Sequence, residues 1–113
     1  MNIDVRIETA ELADAFRRYV QRRLRFALGR VAGRLGRVTV RITDLNGPRG
    51  GVDISCRISA EILPARRLFL QEVVSDELFG AVDRAADRVG HCIRREIERE
   101  IDIRTRRGPR PAA

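Results

Sequence analysis

Three separate segments of this chain carry an apolar residue at every second position, and this alternation limits the possible folds more than any other feature. The segments are Asn2–Glu8, Arg37–Thr43 and residues 52–60. A period of two places all the apolar side chains on one face of a strand. Each segment therefore predicts a strand with one buried face and one exposed face.

Two other segments have apolar residues at the three- and four-residue spacing of an α-helix. The first predicted helix spans residues 10–32, with Thr9 as its N-cap and Gly33 just beyond its end. The second begins after Ser75 or Asp76, either of which can act as its N-cap. Its apolar stripe consists of Leu78, Val82, Ala85, Val89, Ile93 and Ile97.

The remaining segments complete the predicted topology. Asn46–Gly51 is rich in glycine, which is typical of a hairpin connection, and Arg67–Val74 predicts a fourth strand whose inward face the sequence leaves open. The order β-α-β-β-β-α, with one apolar face on the sheet, requires both helices on that face. We therefore predict an α+β two-layer sandwich with a four-stranded sheet over residues 1–102, followed by a disordered basic tail, 103–113.

Several classes of protein are disfavoured by composition. No apolar run approaches the roughly 20 residues that span a bilayer, and the N-terminus has no signal-peptide core, so we expect a cytoplasmic protein without a membrane partner. Cys56 and Cys92 form no CxxC pair, which gives no support for a disulfide framework or a zinc site. Asp83 and Asp87 lie one helical turn apart but lack further ligands, so we expect no metal, cofactor or small-molecule substrate.

An enzyme is also disfavoured. His91 is the only histidine and has no apparent nucleophile beside it in the sequence. A catalytic pair of Cys56 and His91 requires the two side chains to meet in space, and a Cys56 that faces the core excludes this. The sequence therefore predicts a protein that is not an enzyme.

Charge is the feature that bears most directly on function. The chain has 23 Arg and no Lys against 16 Asp and Glu, for a net charge of +7. Arginine binds phosphate oxygens through two parallel hydrogen bonds and stacks on bases, so this surface suits nucleic acid. By residue count the first predicted helix carries +4, whereas the last, taken as residues 75–101, carries −2.

Helical spacing groups the candidate RNA-binding residues on the sides of the two helices that face away from the core. At about 100° per residue, those of the last helix fall within about 80° of one another. An ordinary solvated helix surface also accounts for such charges, and Arg94 with Glu98 predicts a salt bridge within the helix. The candidates are Arg18, Arg22, Arg25, Arg49, Arg84, Arg88, His91, Arg95 and Arg99.

Three stretches follow one another as they do in a known family. They are the opening strand and helix through Thr9 and Leu12, the segment Asp44–Asp53 followed by Cys56 and Arg57, and the helical segment Asp76–Arg88. In this order and spacing, up to about Ile101, the chain resembles the bacterial family of ribosome hibernation-promoting factors and sigma-54 modulation proteins, also called ribosome-associated inhibitors.

The resemblance implies a fold similar to double-stranded-RNA-binding domains, with two parallel helices lying across small-subunit ribosomal RNA (rRNA). Family members occupy the channel used by messenger and transfer RNA and idle translation during stress and hibernation. The candidate arginines of both helices are then the residues that contact rRNA. Longer members carry a C-terminal dimerising domain, and at 113 residues this chain is expected to be a short form without it.

Two hypotheses follow. The first is a ribosome-binding factor that occupies the decoding channel of the small subunit through contacts between arginines and rRNA phosphates. The alternative is a protein-interaction or regulatory module of the same fold without ribosome binding. The negative charge of the last helix favours this alternative, since relatives are often rich in Lys there.

Overall fold

A computed structural model of the chain describes residues 1–8, 14–45 and 53–106. The elements follow the order strand, helix, three strands and helix, with a short 3-10 helix (Gly29–Arg34) after the first α-helix. The strands and helices are β1 (Asn2–Ile7), α1 (Asp14–Leu28), β2 (Leu35–Asp44), β3 (Ile54–Ile62), β4 (Arg67–Ser75) and α2 (Leu78–Arg106).

The four strands form one sheet in the order β1-β2-β3-β4. β1 and β2 are parallel and the other neighbours are antiparallel, so α1 is the crossover that a parallel pair requires. Val5 lies opposite Val40, which lies opposite Ile58, and all three are buried on the inner face. The predicted α+β fold class and order of elements are confirmed.

The core lies between this inner face and the two helices. α1 contributes Phe16, Val20, Leu24 and Leu28, which recur every four residues and are buried. The predicted stripe of α2 is buried as well, apart from the half-buried Leu78. Full burial of one such large apolar side chain contributes about 1.5–3 kcal/mol, so the apolar spacing fixes both helices on the sheet.

β2 begins two residues before the predicted start because the strand contains a β-bulge. Leu35 pairs with Ile62 and Val38 with Ala60, so β2 has one more residue than β3 between these two pairs. The extra residue lets Leu35 and Val38 both face the core although they lie three positions apart. Strict alternation cannot identify such a start.

β4 is an edge strand with apolar residues on both faces, which explains why its sequence did not define an inward side. Val73 is buried and Phe69 is packed against the core. Leu68, Leu70 and Val74 alternate with them and are exposed. The outer face of the sheet, which the helices do not cover, therefore has an apolar border along β4.

The helix ends differ from the prediction. The described part of α1 begins at Asp14, and Thr9 lies outside the described residues, as does the segment Asn46–Gly51 with Arg49. α1 ends at Leu28 and not at residue 32, because the chain tightens into the 3-10 helix. Before α2, the Ser75 hydroxyl accepts a hydrogen bond from the backbone N–H of Glu77 over 3.2 Å, in the turn that leads into the helix. The first backbone hydrogen bond of α2 runs to the carbonyl oxygen of Glu77, so neither Ser75 nor Asp76 holds the N-cap position.

α2 extends beyond the predicted end of the folded domain. It has 29 residues and a length of about 43 Å, whereas a nine-residue strand spans about 30 Å. The proposed boundary at residue 103 falls inside α2, which continues through Arg106. Residues 107–113 lie outside the described residues, and the division into a domain and a tail stays a prediction.

Candidate nucleic-acid interface

α1 and α2 lie side by side and run in the same direction. Near their starts, the rings of Phe16 and Phe79 pack edge to face with centroids 5.3 Å apart. Further along, Nη1 of Arg94 donates a hydrogen bond to the carbonyl oxygen of Ala27 over 3.0 Å. A Cβ on Gly90 would lie 2.8 Å from that same oxygen, so this close approach requires glycine. The two helices thus form one layer over the sheet.

A network of four residues, which we term the seam network, joins the helices between these contacts. Nε of Arg23 on α1 donates to Oδ1 of Asp83 over 3.2 Å, and its Nη2 donates to Oδ1 of Asp87. The Tyr19 hydroxyl donates to Oδ1 of Asp83 over 2.5 Å, and this hydrogen bond raises the pKa of Tyr19. The two carboxylates considered for a cation are therefore bridged by a guanidinium.

A second cluster, the C-terminal clamp, fixes the distal part of α2. Nη2 of Arg34 donates to Oε2 of Glu100 over 2.6 Å, and Nη2 of Arg67 donates to Glu96 and Glu100 over 2.7 and 2.9 Å. The hydrogen bond from Arg34 lowers the pKa of Glu100. Both arginines precede α2 in sequence, so the clamp ties the helix to the end of the sheet.

The lowered pKa of Glu100 predicts a pH-dependent contribution to stability. A carboxylate with a lower pKa in the folded state stabilises the fold above its unfolded pKa of 4.5, and this stabilisation is lost as pH falls through the folded pKa. We therefore expect E100Q to unfold more easily than the original protein at pH 7, with the difference shrinking below about pH 4.5. Urea denaturation at several pH values measures this. A difference that stays constant down to pH 3 would contradict a stabilising ionised Glu100.

These two clusters change the meaning of the charge count for α2. Asp83 and Asp87 pair with an arginine of α1, and Glu96 and Glu100 pair with arginines outside α2. Four of the seven acids counted in residues 75–101 are thus neutralised by other elements. The predicted salt bridge between Arg94 and Glu98 is wrong, because Arg94 reaches across to α1 instead.

The predicted RNA-binding residues that the structure describes are all exposed. Among the described residues, none of them makes a hydrogen bond or an ion pair with another side chain. By contrast, three of the four arginines on the outer face of the described sheet are paired, Arg6 with Asp4, Arg41 with Glu8 and Arg57 with Glu72, and Arg37 is the exception. The exposed and unpaired set is Arg18, Arg22, Arg25, Arg84, Arg88, His91, Arg95 and Arg99.

This set divides into two basic surfaces. Arg18, Arg22 and Arg25 form the α1 surface, and the other five residues form the α2 surface. On each helix, the basic residues lie roughly 130–140° around the axis from the residues that contact the other helix. The surfaces therefore flank the seam network on one helical layer and do not merge into a single patch.

The possible catalytic pair is absent. Cys56 is fully buried on the inner face of the sheet, and burial raises the pKa of its thiol to about 12. His91 is exposed on α2, away from the core. Cys56 and Cys92 are both free thiols, and the described residues contain no group of three or more His, Cys, Asp or Glu that could hold a metal ion.

The family described as sigma-54 modulation protein / S30EA ribosomal protein matches residues 3–101, which is most of the chain. The chain belongs to this family. The family consists of ribosome-associated proteins involved in translation regulation and is not a known class of enzyme. No curated protein matches the sequence at a significant level.

Solved structures support the family fold. The N-terminal domain of Protein Y from Thermus thermophilus is 26% identical, with a TM-score of 0.67, and the match covers 84% of this chain and 98% of that one. A ribosomal subunit interface protein from Coxiella burnetii has a TM-score of 0.65 at 11% identity, over 87% of this chain and 99% of that one. The second likeness concerns the fold alone.

Within this family fold, the structure reveals residues that sequence reasoning passed over. Phe26 is highly exposed on α1, beside the seam network, and Arg30 and Arg94 lie near it. The helical periodicity could have identified Phe26 as an exposed aromatic residue, because it falls outside the apolar stripe of α1. The seam network and the C-terminal clamp gave no such signal, since their members are far apart in sequence.

In the described part of the chain, no helix is both long and apolar enough to cross a membrane.

Proposed function

We propose that this protein binds the small subunit of the bacterial ribosome in the cytoplasm and occupies the decoding channel, where it idles translation. α1 and α2 lie against rRNA, and the α1 and α2 surfaces bind its phosphates. One observation carries this proposal: the exposed arginines of the helical layer have no carboxylate partners among the described residues, whereas three of the four arginines on the outer sheet face are paired.

An unpaired arginine is better suited to phosphate than a paired one. A guanidinium that is already bound to a carboxylate must break that ion pair before it can bind RNA. A free one exchanges only water and forms charge-assisted hydrogen bonds to phosphate oxygens. Each such contact also releases counterions from the RNA, which favours binding at low salt. The helical layer is therefore the best phosphate-binding surface among the described residues.

Recognition rests on the shape of the RNA more than on its base sequence. The major groove of an A-form helix is too deep and narrow for side chains to read its bases, so phosphate positions and the shallow groove guide the protein. Two parallel helices of fixed spacing match such a pattern, because the contacts of Arg94 and Gly90 with Ala27 hold them together. Membership of the sigma-54 modulation protein / S30EA ribosomal protein family supports the ribosome as the partner.

The alternative of an interaction module without ribosome binding loses its main support. It rested on the excess of acids in α2, and four of those acids form ion pairs with arginines of other elements. Arg84, Arg88, Arg95 and Arg99 remain exposed on the α2 surface. The proposal therefore includes α2 as a second contact with rRNA.

Sedimentation with purified ribosomes tests this function. The protein is expected to migrate with small subunits and intact ribosomes at about 0.1 M salt, and to be released steeply towards about 0.5 M. It is not expected to migrate with isolated large subunits. Its absence from small-subunit fractions at low salt would contradict ribosome binding.

Competition tests the position on the ribosome. Small subunits preloaded with messenger RNA and transfer RNA are expected to bind much less of the protein than empty ones, because the channel is then filled. Equal binding to loaded and empty subunits would contradict the decoding channel while leaving ribosome binding intact.

A further inference from the structure

Phe26 on α1 is the most exposed large apolar side chain in the described part of the protein, with 84% of its surface accessible. Burial of a phenylalanine side chain normally contributes about 1.5–3 kcal/mol to folding, and at this position that contribution is not made. Phe26 does not belong to the core cluster or to the half-buried side chains packed against it. Packing within the fold therefore does not account for its position.

The ring of Phe26 lines a groove between α1 and α2 with a volume of about 420 Å³. Ala27, Arg30, Asp87 and Arg94 line the rest of it. This volume lies within the roughly 300–1,000 Å³ of typical ligand clefts, so the groove can accept one planar base. Its lining combines an aromatic ring, two cations and one carboxylate, which differs from the all-basic α1 surface beside it.

Arg23 contacts the ring of Phe26 and helps to hold it in a position where a base can stack on it. Its guanidinium carbon lies 5.9 Å from the centroid of the Phe26 ring, within the range of a cation–π contact. Asp83 and Asp87 both bind this guanidinium, so the cation beside the ring is fixed by the seam network. A fixed platform binds a ligand with less loss of side-chain entropy than a mobile one.

We propose that this groove binds one unpaired nucleobase of the ribosomal RNA, stacked on Phe26, with Asp87 accepting a hydrogen bond from an amino group on the base edge. The inference rests on the proposed function and adds a base contact to its phosphate contacts. Stacking on an aromatic side chain is how proteins commonly hold unpaired bases.

The charges of the groove favour RNA over an apolar partner. Arg30 and Arg94 provide positive charge for the phosphate next to the stacked base. Asp87 repels a phosphate but accepts a hydrogen bond from the amino group of adenine, cytosine or guanine. An apolar protein segment would cover Arg30 and the exposed carboxylate of Asp87 without offering either group a polar contact.

Affinity for purified small subunits tests the stacking contact. F26A is expected to bind about 5- to 150-fold more weakly, as for the loss of one stacked base. The dependence of its affinity on salt is expected to stay unchanged, because stacking releases no counterions. F26W is expected to restore binding. L68A is the matched control, since Leu68 is 75% exposed on the outer face of the sheet.

The outcomes separate this inference from the proposed function. Failure of the unchanged protein to bind small subunits overturns the proposed function and the inference together. Normal ribosome binding by the unchanged protein with equal binding by F26A overturns the inference alone. Restoration of binding by F26L to the same extent as F26W also overturns it, because an apolar contact with a protein surface then explains the site.

The proposed contact of Asp87 with the base edge has an independent test, which is whether the D87A substitution raises or lowers the affinity for RNA. Electrostatics alone predicts that D87A binds RNA more tightly, whereas a base-edge contact predicts weaker binding. Chemical probing of rRNA with a reagent that modifies the pairing edge of unpaired bases provides the second readout. One unpaired nucleotide is expected to be protected by the unchanged protein and reactive with F26A or D87A. Tighter binding by D87A, or no such nucleotide, overturns the base-edge contact.

Discussion

Simultaneous replacement of Arg18, Arg22 and Arg25 by alanine is expected to weaken binding to small ribosomal subunits by roughly 100- to 500-fold near 0.1 M salt. The three guanidiniums are exposed on α1 and unpaired among the described residues, so each can neutralise one phosphate. Each lost contact lowers the salt dependence by roughly 0.7–0.9 in the slope of log K against log salt. Equilibrium binding at several salt concentrations measures both quantities.

The outer face of the sheet offers a control with the same change in net charge. Arg6, Arg41 and Arg57 lie opposite one another on three neighbouring strands, and each is paired with a carboxylate. R6A/R41A/R57A is expected to bind with almost unchanged affinity and salt slope. If both triple variants lose affinity equally, net charge and not the α1 surface controls binding, and the proposed orientation on rRNA is wrong.

Substitution of Gly90 by alanine is expected to destabilise the fold by about 1–3 kcal/mol relative to the same change at Gly80. A Cβ on Gly90 would lie 2.8 Å from the carbonyl oxygen of Ala27 and 3.3 Å from Nη1 of Arg94. The carbonyl belongs to the backbone of α1, so relief requires the helices to separate. Urea denaturation monitored by circular dichroism measures the change in the free energy of unfolding.

Gly80 is the matched control, because it lies in the same helix. A Cβ there would meet side-chain atoms of Glu77 and Ser75 at 3.4 Å or more, which is ordinary contact. G80A is therefore expected to be neutral or stabilising by up to about 1 kcal/mol, as glycine disfavours a helix. Equal stability of G80A and G90A would show that the helices can move apart at no cost.

The arginines illustrate how far sequence reasoning about the site could reach. Helical spacing predicted which arginines lie away from the core, because that depends only on position along one helix. It could not predict which arginines are paired. Arg23 is five residues from Arg18 in the same helix, yet it binds two carboxylates that lie 60 and 64 positions away in the chain. The charge of −2 counted for the last helix was misleading for the same reason.

The alternation of β1, β2 and β3 and the helical stripes of α1 and α2 were sufficient to predict the α+β layers, since burial of one face per element is a local property of the sequence. Other features arise from contacts between elements that are distant in the chain. These include the bulge after Leu35, the inward side of β4, the approach of the helices at Gly90 and the groove beside Phe26. A residue pattern records which face of an element is apolar but not which neighbour that face meets. Strand pairing decided the bulge and the inward side of β4, and the packing of the two helices decided the approach at Gly90 and the groove.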